Sequence, residues 1–210
     1  MVKNMHTIFE EIKNDLDALD EKREYILPIT RDIVRNCSEI IKSVHRNEFE
    51  GIEHRIDETK KMIVSIKEKA SDTLEGMGKN YMGIVNQEFT EAVTFYSLVK
   101  NDNIPSYNEI GVNPYEYLLG LSDLIGELKR MILNKIRNND IESAEHLYEH
   151  MEIIHEYLFG LDYPSGLLPG FRKKIDRSRA LLNSTLELIV SSKHIMELKE
   201  TLDRSLKMGK

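Results

Sequence analysis

The chain has 210 residues, 40% hydrophobic and 31% charged, which is enough apolar material for a substantial core and too much for a disordered segment. A net charge of −7 excludes a broadly cationic surface that wraps duplex DNA, although a local basic face can act within an acidic protein. The single cysteine, Cys37, excludes an intramolecular disulfide and a cysteine-rich zinc site and fits a reducing cytoplasm. No run is long and apolar enough for a signal peptide or a membrane span, so a cytoplasmic chain with no membrane partner is expected.

Five prolines and eleven glycines are few for this length and cluster mainly outside the long periodic stretches, a pattern that favours long helices joined by short loops. The first predicted helix runs from about Met5 to Arg46, with Pro28 placed to kink or loosen it. A second covers about Glu48 to Leu74 and stops at Gly76 and Gly78. A third covers Lys79 to Lys100 and stops at Asn101-Asp102-Asn103 ahead of Pro105. The fourth has the clearest start: Asn113 as N-cap, Pro114 in the first helical position and Glu116 as the back-reaching acid of a capping box. It ends near Arg137-Asn138-Asn139, and Asp140 caps a fifth that stops at Gly160. A sixth is predicted from Gly170 to Val190, and a seventh after Ser191-Ser192. The apolar spacing is helical throughout, with no linker, low-complexity tract or repeat, so the expectation is an all-α bundle forming one domain over residues 1–210.

Two predicted helices place acids where a solvated face would not need them. On the third, Tyr81, Ile84, Ala92, Phe95 and Val99 fall within roughly 40° of Glu88, and Glu91 about 60° away, at 100° per residue. Asn86, Thr90 and Ser97 gather on the opposite, expected wet, side. On the fourth, Leu118, Leu121, Leu124, Ile125, Leu128, Met131 and Ile132 leave a narrow polar stripe of Glu116, Asp123, Glu127, Arg130 and Asn134. If the stripes face each other, Glu88, Glu91, Asp123 and Glu127 converge. Four such carboxylates need shared protons, arginine or a divalent cation to stay close. An all-oxygen set suits Mg²⁺ or Mn²⁺, which can activate water for phosphodiester cleavage. The plainer alternative is a solvated stripe with its acids paired to Arg130. Di-iron chemistry is disfavoured: Glu152 and His155 form the only Glu-x-x-His of the required kind, read as incidental.

At these residues the chain resembles a known family. Asn86 through Phe95 (NQEFTEAVTF) is similar to the Q-E-Y-V-E-A-V-x-F stretch of the Trax branch of the translin family. Pro114 through Arg130 (PYEYLLGLSDLIGELKR) resembles that family's P-x-D-Y-L-L-G-V-x-D-L-T-G-E-L-M-R segment. The run Arg23 to Asp32, leading to His45-Arg46, and the run Pro169 to Lys174 (PGFRKK) agree as well, in the expected order. The resemblance implies a seven-helix bundle of the translin type that assembles as an oligomer, with an octamer favoured. It implies that Glu88, Glu91 and Asp123 are catalytic metal ligands, with Glu127 in support. Translin subunits lack the acid pair of the third helix, so its retention here implies a metal-dependent endoribonuclease. The alternative is a non-catalytic oligomer that binds single-stranded DNA or RNA. Matches to both branches at different segments imply a self-sufficient homo-oligomer of archaeal type.

An RNA partner requires cations for its phosphates. Arg172, Lys173, Lys174, Arg177 and Arg179 open the sixth predicted helix as a dense basic group, and Arg31 and Arg35 form an i, i+4 pair on the first, followed by Lys42, His45 and Arg46. A solvated or salt-bridged helix face is the competing explanation for each. Tyr81 could stack on an unpaired base, although a bundle tyrosine is more often core or interface. His146 and His150 stand at i, i+4 on the fifth helix, a spacing that can bind zinc, with no HExxH or nearby cysteine in support. Cys37 has no suitable local base and reads as a small buried residue.

Overall fold

The computed structural model describes residues 4–70 and 79–208. It contains α1 (Met5–His45), α2 (Ile52–Ala70), α3 (Lys79–Asn101), α4 (Tyr107–Ile110), α5 (Pro114–Arg137), α6 (Ile141–Phe159) and α7 (Phe171–Met208). No strand occurs among the described residues, so the fold is all-α as expected, and seven helices are seen among them. The chain divides into two compact units, Met1–Val112 and Asn113–Lys210.

In the first unit α1 packs on α2 and α3. Its buried residues Ile26, Thr30, Ile33, Cys37, Ile40 and Val44 alternate spacings of four and three, the repeat of a helix seam. Ile33, Ile40 and Val44 are fully buried, and each contributes about 1.5–3 kcal/mol by leaving water. The helix runs through Pro28. It ends where Asn47 takes φ 56°, and Gly51 follows with φ 77°. That second left-handed turn delays α2 to Ile52, four residues later than the sequence reading placed it. The predicted stop of this helix at Gly76 and Gly78 lies outside the described residues.

α3 departs from its expected polarity. Asn86 and Thr90, assigned to the wet side, are buried, and so is Thr94, whereas Ile84 is exposed. Threonine tolerates this placement because its hydroxyl can be satisfied by its own helix. Thr90 Oγ1 donates to the Asn86 carbonyl and Thr94 Oγ1 to that of Thr90, both at 2.7 Å. The four-residue α4 was not anticipated. Ser106 and Glu109 close a capping box around it, and Lys60 and Lys67 of α2 donate to the carbonyls of Glu109 and Gly111 at 2.7 and 2.9 Å.

The second unit is built on α5, which packs against both α6 and α7. Asn113 Oδ1 accepts from the Glu116 N–H at 3.0 Å, with Pro114 at the helix start as expected. The α5–α6 turn uses Asn139 at φ 58°, and Asp140 caps α6 by accepting from Ser143 N–H. Leu124, Ile125, Leu128 and Ile132 of α5 meet Met151 and Leu158 of α6 in a fully buried layer. α7 continues that core with Phe171, Ile175, Ser178, Leu182, Thr185 and Ile189, again spaced four and three. The predicted break at Ser191-Ser192 is absent, and one helix spans 38 residues. Two serines lower helix propensity by only a few tenths of a kcal/mol each, too little to stop a helix without proline or glycine.

Candidate functional site

The acids singled out by the sequence fall into two groups, one in each unit. In the first unit Glu88 and Glu91 stand one turn apart on α3. Glu88 is half-buried, and Glu91 is only 9% exposed. They share their surroundings with Cys37 of α1, which is fully buried. Burial pushes the Cys37 thiol well above its usual range, and the negative charges of Glu88 and Glu91 push it further. Ala92 and Phe95 follow on the same helix with no exposure, and the Phe95 ring lies 4.9 Å from that of His45. An acid in such a setting needs a compensating positive partner or hydrogen bonds to stay ionised.

In the second unit Asp123 and Glu127 stand one turn apart on α5, both half-buried. Lys174, on the first turn of α7, donates to both oxygens of Asp123, at 2.5 and 2.6 Å. Each side chain of this pair is 28% exposed, so the contact is only partly shared with water. Glu127 meets Arg130 at 3.6 Å, the pairing named above as the plainer explanation for this stripe. Glu116, from the same polar stripe, is buried.

The basic residues separate by burial. Lys174 is drawn to Asp123, away from the open cationic group expected of it. Arg172, Lys173 and Arg177 are exposed around the first two turns of α7. Arg179 lies over the Phe159 ring, 4.7 Å from its centroid. On α1, Arg31 is exposed and Arg35 pairs with Asp32 at 3.2 Å. Tyr81 is half-buried and stands near the guanidinium of Arg23, which also bonds Asp20 and Glu24.

Two features escaped the sequence reading. One is the Lys174–Asp123 pair, which joins residues 51 positions apart. The other is the closeness of Cys37 to the α3 acids, which no local spacing reports.

The donor chemistry fits a hard divalent cation. Glu88 and Glu91 offer carboxylate oxygens from one helix face, and the burial of Glu91 favours a compensating charge. No helix of the described residues is long and apolar enough to cross a membrane.

Comparison with known proteins places these residues in a wider set. A family model, described as Translin family, matches residues 21–182. An uncharacterized protein of Methanocaldococcus jannaschii is 32% identical, over 91% of this chain and 85% of its own. Translin-associated protein X of Pongo abelii is 25% identical over 70% of this chain, which spans 65% of that relative's length. Among solved structures, the complex of AfC3PO with duplex RNA is similar at a TM-score of 0.77 and 26% identity, covering 89% of this chain and 97% of that one. Apo-NeC3PO is similar in fold, with a TM-score of 0.75 at 23% identity over 91% of this chain and 98% of that one.

Proposed function

Because the chain belongs to the translin family, we propose that it is a metal-dependent endoribonuclease of the Trax type, acting on single-stranded or partly paired RNA. The observation that carries this reading is Glu91, a buried carboxylate one turn from Glu88 on α3. Glu88, Glu91 and Asp123 hold Mg²⁺ or Mn²⁺, with Glu127 in support. When bound, that cation supplies an activated water and stabilises the leaving oxygen of the phosphodiester.

The chain's own groups do the rest. Glu88 and Glu91 present their oxygens from a rigid helix whose buried faces fix its rotation. Lys174 balances Asp123, and its ammonium would serve a phosphate oxygen if a cation took over that role. Arg172, Lys173, Arg177, Arg31 and Arg35 hold the RNA backbone, which carries no sequence information in itself. The similar structure of AfC3PO in complex with duplex RNA supports RNA as partner.

Assembly as a homo-oligomer, an octamer by family analogy, has its own support. Met5, Phe9, Ile12 and Leu16 continue the four-three spacing of the α1 seam, yet all are exposed. Ile195, Leu198, Leu202 and Leu206 form a second exposed apolar stripe at the end of α7. Such contiguous apolar faces mark interaction surfaces.

The alternative is a non-catalytic oligomer that binds single-stranded DNA or RNA, and the ion-paired state of Asp123 and Glu127 favours it. Cleavage of a labelled single-stranded RNA in Mg²⁺, Mn²⁺ or EDTA, beside the Glu91→Gln variant, separates the two. Cleavage that needs metal and disappears in the variant, with RNA still bound, supports the nuclease. Binding without cleavage by the unmodified protein leaves the binding-only oligomer. Light scattering that shows a stable monomer would remove the assembly from either reading.

A further inference from the structure

α6 buries Ala144, Leu147, Met151 and Leu158 and therefore cannot rotate. Its other side carries His146 and His150, one turn apart, and neither belongs to the carboxylate site. Their Nε2 atoms face each other at 3.3 Å, with the ring planes 69° apart and the centroids at 4.6 Å. Two lone pairs in that position repel unless something positive lies between them. A hydrogen bond needs one ring to carry its proton on Nε2. The Glu149 carboxylate, 3.8 Å from His146 Nδ1, favours a proton on that nitrogen and leaves His146 Nε2 as an acceptor, open to a proton on His150 Nε2 or to a cation that displaces it.

The separation selects a cation. Bonds of about 2.0–2.1 Å meeting at a tetrahedral angle place two nitrogens roughly 3.3–3.4 Å apart, whereas a right angle needs roughly 2.8–3.0 Å. The observed 3.3 Å matches the tetrahedral case. Imidazole nitrogens suit borderline cations such as Zn²⁺ and are poor ligands for Mg²⁺. The His146 side chain is 60% exposed, so water has room to complete the coordination.

We propose that His146 and His150 form a second metal site of this protein, a labile nitrogen-ligated site for Zn²⁺ with solvent in the remaining positions. Bound Zn²⁺ staples one turn of α6 through both rings, with Glu149 as the outer partner of His146. The site is independent of the nuclease reading and differs from the carboxylate centre in its preferred cation.

The test is calorimetric titration of the full chain, metal-stripped and free of any histidine tag, with Zn²⁺ in excess Mg²⁺. The variants are His146→Gln, His150→Gln and Glu91→Gln, with circular dichroism as a check that α6 is retained. The expected result is one Zn²⁺ per chain, kept in Glu91→Gln. Each histidine variant should lose more than the roughly 10–100-fold that removal of an outer-sphere partner costs. Co²⁺ in place of Zn²⁺ should give the intense visible absorption of a tetrahedral ion, absent in both histidine variants. No saturable Zn²⁺ binding, equal affinity in the histidine variants, or loss confined to Glu91→Gln would each overturn the proposal.

Discussion

Replacing Lys174 by methionine keeps the length of the side chain and removes the charge lying 2.5 and 2.6 Å from the two Asp123 oxygens. At an effective dielectric constant of 20, one such contact carries a gross attraction of about 6 kcal/mol. Most of it is offset by desolvation and by the entropy of holding a lysine in one geometry. Exposed pairs retain about 0.2–1 kcal/mol after these costs, and breaking a fully buried pair costs about 3–5 kcal/mol. With both side chains 28% exposed, this pair falls between those limits. A loss of about 1.5–2 kcal/mol is expected for Lys174→Met, or about 3–8 °C in Tm for a domain of this size. Asp123→Asn should cost a similar amount, and the double variant less than the sum, with a coupling of about 1–2 kcal/mol. Urea unfolding of the four proteins at one fixed protomer concentration completes the cycle, because oligomerisation makes apparent stability concentration-dependent. A coupling below about 0.3 kcal/mol would mean additive, independent sites and would refute Lys174 as the counter-charge of Asp123. If Asp123 also serves the cation, Lys174→Met should tighten Mn²⁺ binding while it weakens the fold.

Two further outcomes follow from groups whose protonation the fold perturbs. Cys37, buried and facing the charges of Glu88 and Glu91, is held as a thiol; since the thiolate is the reactive form, a disulfide reagent at neutral pH should label it only after unfolding, and rapid labelling of the native protein would contradict this. His155 is lowered below its usual value of 6.5 by burial and, to a smaller extent, by Arg179. The unfolded chain therefore takes up this proton first as pH falls, so the stability His155 contributes is complete above 6.5 and is lost below it. Urea midpoints between about pH 7 and 5 should slope less for His155→Phe than for the unmodified protein, and an equal slope would count against the assignment.

Local chemistry made most of the fold legible. Asn113-Pro114, Asp140 and the Asn101-Asp102-Asn103 stop act through neighbouring backbone groups, and α5, α6 and the end of α3 fall where those residues put them. The misses arose where local signals were weak or where tertiary burial overrode them. Ser191-Ser192 looked like a boundary, but serine only mildly disfavours a helix that nothing else interrupts. Asn86 and Thr90 looked wet, but α3 is buried on nearly all sides and its threonines satisfy themselves on its own carbonyls. The acids stood out because a carboxylate inside an apolar arc is visible in helical spacing, whereas a partner many residues away is not.

The basic group at the start of α7 shows how far spacing could have gone. Read as a run of charge, Arg172, Lys173, Lys174, Arg177 and Arg179 look equivalent. The buried seam Phe171, Ile175, Ser178 and Leu182 makes them unequal. At 100° per residue, Lys174 and Arg179 lie about 70° to either side of the centre of that seam. Lysine and arginine at such flanking positions lay their stems along the apolar surface and carry their charges to its edge. These two make contacts within the unit, Lys174 with Asp123 and Arg179 with the Phe159 ring. Lys173 and Arg177 lie beyond about 120° from the seam, where a side chain can reach only outward. The same wheel that singled out Glu88 and Glu91 on α3 thus separates the cation that balances an acid from those left exposed to solvent.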